Sequence, residues 1–526
     1  MKFNRKISVG GGTTGVLLAC RLSEDANNFV LLLEEGDQLP FYHYNYYFSK
    51  YFKKLWNLNH FAFTYNVSLT STTTDHHNQD ESFTAEANDS EQWQSRRALG
   101  GNGNNGLSEQ PLLYNKPNAY EWDRWVEDRS LTGVWSWSNV ESYFERYSKQ
   151  TVSGQGNAVR SVVRPRHSTL SDIDVLFKKN NNDAVWASVL DYLTTEVQSR
   201  FNLHILTGAK ATKILFGMDG AATGVNYIYE GRSQRVLINR EVILSCGPVE
   251  TPHLLLLSGI GAEEQLRLFN ITPVRSLPAV GEQLAIPLST TIQYETNLIC
   301  DPTSSNHYTS IEMLIQKFCS NFQISQPITD FSNYNRLFVN MFTCFQSKWF
   351  LSVEVSLMNA YRIGSVRLNS IDALAAPTIE VQPKGVFSGL LTKAVKRAHH
   401  LLTSTQTFSP IGLTPSKAQK WKCDGRSSED LFSCLATNFE EFSDEAFKSY
   451  PTSSCAMGNL LANSVVDKDL RFVRFKRFVN CRVHEVKRLR VVDASVLPPT
   501  SSVRSVYASL LMLADKAVDI LQNETY

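Results

Sequence analysis

A glycine turn near the amino terminus limits this chain more than any other feature. Gly10, Gly12 and Gly15 form GxGxxG between a short strand, Lys6–Val9, and an apolar-spaced run, Val16–Leu22, that opens a helix. The first glycine permits a tight turn, the second lets backbone approach a pyrophosphate, and the third lets helix and strand pack closely. The helix start then offers free N–H groups and a partial positive charge to phosphate. A second, almost wholly apolar strand, Phe29–Leu33, ends at Glu34, 19 residues after Gly15. A carboxylate there can accept hydrogen bonds from ribose hydroxyls, and an acid in that place disfavours a 2′-phosphate. Gly10, Gly12, Thr14, Gly15 and Glu34 are therefore the expected dinucleotide contacts. The competing reading is a glycine turn beside a surface glutamate.

Composition narrows the rest. The chain has 526 residues, with 52 Lys+Arg against 51 Asp+Glu and 42% hydrophobic residues. That is globular composition, and it excludes wholesale disorder. A net charge of +1 argues against a nucleic-acid partner. No apolar run approaches the ~18–20 residues of a transmembrane segment. Ile7–Val9 is followed by three glycines and is a strand entering a turn rather than the apolar core of a secretory leader. The expected compartment is the cytoplasm, or outside the cell if the amino terminus is truncated. Nine cysteines carry no CxxC and no Cys/His metal spacing, so no metal site is expected. The odd count fits mostly reduced, buried thiols, with one loop disulfide between Cys423 and Cys434 as the alternative.

Regular patterning resumes at 203. Leu203–Leu206, Ala211–Phe216, Gly224–Tyr229 and Arg235–Ile238 read as short strands, Val242–Leu244 as a buried strand, and Pro252–Leu257 as the start of an apolar helix. Strand-like stretches follow near 288–296 and 350–368, with a helix near 388–402. Leu489–Val492 is a strand before a helix, Val506–Leu521. Residues 41–65 lack clear periodicity, and 71–92 and 151–183 are polar and irregular. The sheet that begins at residue 6 is expected to be completed near 243 and 491.

Several segments resemble the glucose–methanol–choline (GMC) oxidoreductases, which bind FAD. The opening turn is one. Arg97-Ala98-Leu99-Gly100-Gly101-Asn102-Gly103-Asn104-Asn105-Gly106 resembles that family's first signature, with Asn and Gly where small hydroxyl residues are usual. Gly247 to Gly261 matches its second signature, and Gly364–Leu368 with Pro377–Ile379 resembles its substrate-domain strand pair. Val491 to Pro498 is similar to its carboxy-terminal flavin-contact strand. The resemblance spans roughly 1–40, 93–148, 200–286, 355–400 and 448–526. It implies an α/β fold: an FAD-binding, Rossmann-like domain from 1–148, 195–286 and 450–526, and a substrate domain with an antiparallel sheet from 149–194 and 287–449. It further implies that Gly101, Asn105 and Gly106 approach the flavin and pyrophosphate, Ala211 the adenine, and Asp493 and Ala494 the pyrophosphate and isoalloxazine.

The resemblance fails where catalysis is expected. The family's base histidine opens a His-Pro-x-Gly-Thr-Cys-x-Met-Gly stretch; here Tyr450 precedes Pro451. The second His or Asn falls at Tyr507, or at Ser505 with a two-residue shift. An Asp-His pair is replaced by Ile286-Pro287. Tyrosine is almost wholly protonated at neutral pH, so Tyr450 and Tyr507 are candidate catalytic residues only as hydrogen-bond donors or with a cation nearby. His484 reads as a structural or exposed residue, with a replacement base as the alternative, and His253 reads as a packing or surface residue. The basic, Phe-interleaved run 471–490 reads as a solvated face, or more sharply as a contact for an acidic partner or membrane surface. Four Asn-x-Ser/Thr sequons, at Asn66, Asn88, Asn270 and Asn523, read as coincidence. The leading expectation is an FAD-dependent oxidoreductase of CH–OH groups, similar to insect-type glucose dehydrogenases. Its partners would be a small alcohol, sugar or sterol and an electron acceptor. The alternative is a non-catalytic relative keeping the fold and perhaps FAD, and a third reading is cyanohydrin-lyase chemistry.

Overall fold

The structure, a computed structural model, describes residues 4–38, 62–69, 90–101, 116–117, 119–147, 176–179, 188–299, 309–313, 335–345, 348–382, 395, 399, 413–415, 451–459, 463–470, 486–499 and 506–522. The elements that build the central cavity are, in chain order, β1 (Asn4–Val9), α1 (Thr13–Leu22), β2 (Asn28–Leu33), β3 (Ala62–Leu69), β4 (Ser90–Arg96), β5 (Leu203–Leu206), β6 (Ala209–Phe216), β7 (Ala222–Tyr229), β8 (Arg232–Leu237) and β9 (Val242–Leu244). They continue with α2 (Gly247–Leu257), β10 (Leu284–Ile299), β11 (Lys348–Arg367), β12 (Thr378–Val381), β13 (Leu489–Val491) and α3 (Tyr507–Gln522).

Strands β13, β9, β1, β2 and β5 lie side by side in that order, all parallel. Helix α1 packs against β1 and β2, and strands β6 and β7 of the side sheet contact β2 and β9. α1 packs against α3 on this sheet, and Val16, Leu17, Leu18 and Leu22 are buried with Leu511, Leu513 and Val518. The sheet is completed at 242–244 and 489–491, as the pattern of short apolar strands predicts. Antiparallel β6, β7 and β8 form a small side sheet.

Among the described residues the second large sheet has nine strands, mostly antiparallel, with β10 pairing β11 along most of its length. Its edge differs from the expected domain boundary. β3 and β4 lie within 1–148 but belong to this sheet, β3 pairing parallel with β12. The cause is period-two alternation, with Phe63, Tyr65 and Val67 turned inward between exposed Thr64, Asn66 and Ser68. The helix expected near 388–402 falls almost wholly outside the described residues, as do Cys423, Cys434 and His484. Among the described residues no helix is long and apolar enough to cross a membrane.

Arg490 also departs from expectation. Read within a solvated basic run, it is 1% exposed. Its Nε donates to both carboxylate oxygens of Glu241 at 3.0 Å, and Nη2 donates at 2.9 Å. The pair ties β13 to the start of β9, while neighbouring Lys487 and Arg488 are exposed. Removing one partner of a buried pair strands the other charge. Arg490→Leu is therefore expected to cost about 3–5 kcal/mol, read as a lower urea midpoint. The double variant with Glu241→Leu should recover most of it.

Candidate functional site

The carboxyl ends of β1, β9 and β13 open into one cavity. About 1740 Å³ of empty space lies within it, open mouth included. Gly10, Gly12, Thr14, Glu34, Gly101, Ala211, Asp493 and Ala494 all line it. Gly15 lies just beneath. Asn105, Gly106 and Tyr450 lie outside the described residues.

The turn is built by close backbone contact. Gly10 has φ +96°, and a Cβ there would meet the Ser245 carbonyl oxygen at 2.5 Å. A Cβ on Gly15 would sit 1.9 Å from the Gly10 oxygen. Gly12 is different: its nearest protein atom would be 3.7 Å away. Protein packing therefore does not require glycine at 12, whereas a ligand approaching the backbone would. Gly12 is also the N-cap of α1, and no side chain caps that end. The uncapped N-terminus, with Thr13 and Thr14 on the wall, is a cradle for phosphate oxygens.

Glu34 is held ready at the end of β2. Its Oε2 accepts from the Gly11 N–H at 2.7 Å, and Oε1 from the Gly36 N–H at 2.8 Å. Burial pushes its carboxyl up to about 7, against the opposing pull of those two donors. Beside it, Glu35 pairs with Lys210 at 3.0 Å and Arg97 at 3.3 Å, and both cations lie over the Phe63 ring.

At the other end, Asp493 supports α2. It accepts from the Gly247 N–H at 3.0 Å, the Thr251 hydroxyl at 2.6 Å and the Ser495 N–H at 2.8 Å. Burial nevertheless raises its pKa. Here three remote segments meet. Ala285 and Thr452 exchange N–H···O bonds at 2.9 and 3.0 Å, Gly281 donates to the Ser454 carbonyl, and Cys455 donates to that of Ser495. Ile286, Pro451, Ala494 and Val506 line this part of the wall. Tyr507 does not line the cavity. It is 4% exposed and packed in the core at the first turn of α3.

Four lining groups escaped the sequence reading. Tyr65 donates to Glu250 Oε1 at 2.9 Å, and His253 Nδ1 lies 3.1 Å from Glu250 Oε2. Burial pushes Glu250 up, but His253, Lys210 and Tyr65 together hold it below the ordinary carboxylate value. His253, read as packing or surface, is 2% exposed and on the cavity wall. Arg362 on β11 is the fourth. The helical spacing of Glu250 and His253, three residues apart, was the available signal for that pair.

Two family models, both described as GMC oxidoreductase, match residues 156–288 and 360–514, more than half the chain. A dehydrogenase of Hericium erinaceus (eriK) is 28% identical over 53% of this chain and 51% of its own length. The FAD, quinone-type glucose dehydrogenase of Drosophila melanogaster is 26% identical over 61% and 53%. The alignments thus span about half the length of these two relatives. The oxygen-dependent choline dehydrogenase of Staphylococcus saprophyticus is 25% identical over 98% of this chain and 94% of its own. Pyridoxine 4-oxidase from Mesorbium loti shares the fold, with TM-score 0.69 at 17% identity over 99% of this chain and 100% of that one.

Two glycine substitutions separate packing from binding. Gly12→Ala is expected to leave the thermal midpoint within about 2 °C while FAD uptake falls at least tenfold. Gly15→Ala, meeting backbone at 1.9 Å, is expected to lower the midpoint itself.

Proposed function

The chain belongs to the GMC oxidoreductase family, and from that premise we propose that it is an FAD-dependent oxidoreductase acting on a CH–OH group of a small molecule. The observation that carries this reading is the cavity at the strand ends, lined together by an uncapped helix start, a buried ribose-type acid and the 493–494 segment. Gly10, Gly12, Thr14 and the start of α1 would hold the pyrophosphate, Glu34 the ribose, Ala211 the adenine, and Asp493 with Ala494 the flavin end. Bound FAD supplies the hydride acceptor. The chain's own residues then bind and orient the alcohol, exclude water and handle its hydroxyl proton.

The proton step is where this chain differs from its relatives' pattern. A general base is worth roughly 10²–10⁴ in rate. Ile286, Pro451, Ala494 and Val506 carry no titratable group, and Tyr507 is packed in the core. Tyr450, next to Pro451, is the proposed hydrogen-bonding group for the substrate oxygen. The same wall favours a second reading, a flavin-holding relative with little or no turnover. Anaerobic mixing of the flavin-loaded protein with a panel of alcohols, sugars and sterols separates the two. Bleaching of the oxidised flavin band is expected with at least one; a loaded protein that no substrate reduces supports the second. Tyr450→His is expected to raise the reduction rate by up to about 10²–10⁴ at unchanged flavin content.

Glu34 gives the binding step a pH dependence. Burial brings its carboxyl up to about 7. Ribose hydroxyls donate to the ionised form and so favour it. Binding therefore releases the proton held below pH 7, and FAD affinity should rise with pH through that value and level off above it. The sign for stability is opposite. The folded chain holds this proton more tightly than the unfolded chain, so the Glu34 contribution weakens between about pH 4.5 and 7. Calorimetric FAD titrations at pH 6 and 8 should differ several-fold, and Glu34→Gln should remove the difference.

A further inference from the structure

We propose that His253, fixed by Glu250, reads the purine edge of the dinucleotide and selects a 6-aminopurine there. This rests on the flavoprotein reading and adds a base-selecting residue to it. The α2 residues on the cavity wall, Glu250, His253, Leu254 and Leu257, recur at helical spacing and so share one face. That helix packs against β6, where Lys210 and Ala211 line the same cavity. Ser258 fastens the two: its hydroxyl accepts from the Ile214 N–H at 2.9 Å and donates to the Leu254 carbonyl at 2.6 Å. Lys210 also acts on the Glu250 carboxylate, so the Glu250–His253 pair stands at the adenine end.

His253 is 2% exposed, and its ring is committed on one side only. Nδ1 lies 3.1 Å from Glu250 Oε2, and Glu250 Oε1 accepts from the Tyr65 hydroxyl at 2.9 Å. Burial pushes Glu250 up, but His253, Lys210 and Tyr65 together hold it below the ordinary carboxylate value. It stays an anion, which can only accept. Nδ1 therefore carries the hydrogen, because the opposite tautomer would turn a bare lone pair toward that anion. In the neutral ring this leaves Nε2 as an acceptor, and among the described residues it has no donor. A buried acceptor without a donor costs free energy, and an occupant with an N–H at that place removes the cost. Adenine offers one in its 6-amino group, and its flat face suits the aliphatic Leu254 and Leu257 beside the ring. Hypoxanthine carries a carbonyl oxygen at the same position, so acceptor would meet acceptor.

The test strips the full-length protein of flavin and titrates it by calorimetry at pH 8. The ligands are FAD and its hypoxanthine analogue, with ADP and IDP as a second pair. FAD and ADP are expected to bind about tenfold more tightly than their hypoxanthine partners, the scale of one buried hydrogen bond made against one lost. His253→Phe should bring that ratio to about one by weakening FAD. His253→Gln should also bring it to about one, but by strengthening the hypoxanthine analogue, since an amide can turn to offer either an acceptor or a donor. Equal binding of the two bases by the wild-type protein, or an undiminished preference in either folded variant, would overturn the proposal. If His253→Phe does not fold, the His253→Gln ratio decides. A protein that takes up neither flavin dinucleotide sinks the flavoprotein reading instead, and the ADP and IDP titrations then decide the base preference.

Discussion

The cavity depends on how closely the turn at residue 10 approaches the end of the strand at 244. Ser245 donates its N–H to the Val9 carbonyl at 2.7 Å, and Val492 donates to that of Leu244 at 2.8 Å. The Ser245 hydroxyl donates to the Val492 carbonyl at 3.1 Å. Three strands from the beginning, middle and end of the chain are thus bonded at one level. Only a residue without Cβ fits at 10 against Ser245, and only such a residue fits at 15 against 10. That tightness brings the starts of α1 and α2 to the same cavity, each with its positive end toward it.

Charge in the cavity follows from this packing. The helix starts supply a positive potential without mobile side chains, suited to a pyrophosphate. The buried acids are placed around it, each satisfied by nearby donors rather than by solvent. Asp493 works on both sides: it fixes the start of α2 through Gly247 and Thr251 and lines the cavity beside Ala494. Its burial is tolerable because it accepts from amides and hydroxyls of neighbouring segments, the usual condition for a buried carboxylate.

Much of the parallel sheet was legible in the sequence. Leu203–Leu206 and Val242–Leu244 are short, wholly local apolar runs, and their bounds agree with the structure. The glycine spacing and Glu34 were legible because the turn chemistry is local too. What escaped depends on distant partners. β3 exists because β12 and β4 lie on either side of it, and nothing within 41–65 announces those neighbours. Arg490 looked like one more surface cation, since its Glu241 partner is 249 residues away. Arg362 became visible only when register set it opposite Ile286. His253 looked like packing because its helix is apolar on nearly every face.

The cradle and the chemistry are constrained by different physics, and this separates their fates. At Gly15 the constraint is steric: a methyl group 1.9 Å from a backbone oxygen cannot be accommodated without moving strand or helix. At 286 the constraint is only chemical, because an isoleucine fills that wall, 6% exposed, and packs with Tyr65, Trp93 and Val249. An isoleucine there, in place of a polar residue, costs nothing in folding and gains apolar burial. The loss of a general base likewise falls wholly on the reaction, where 10²–10⁴ in rate corresponds to about 3–5 kcal/mol of barrier. A chain can therefore keep every backbone contact a dinucleotide requires while its turnover drops by orders of magnitude. The hydroxyl proton then needs an acceptor other than the residues at 286, 451, 494 and 506, none of which carries a titratable side chain.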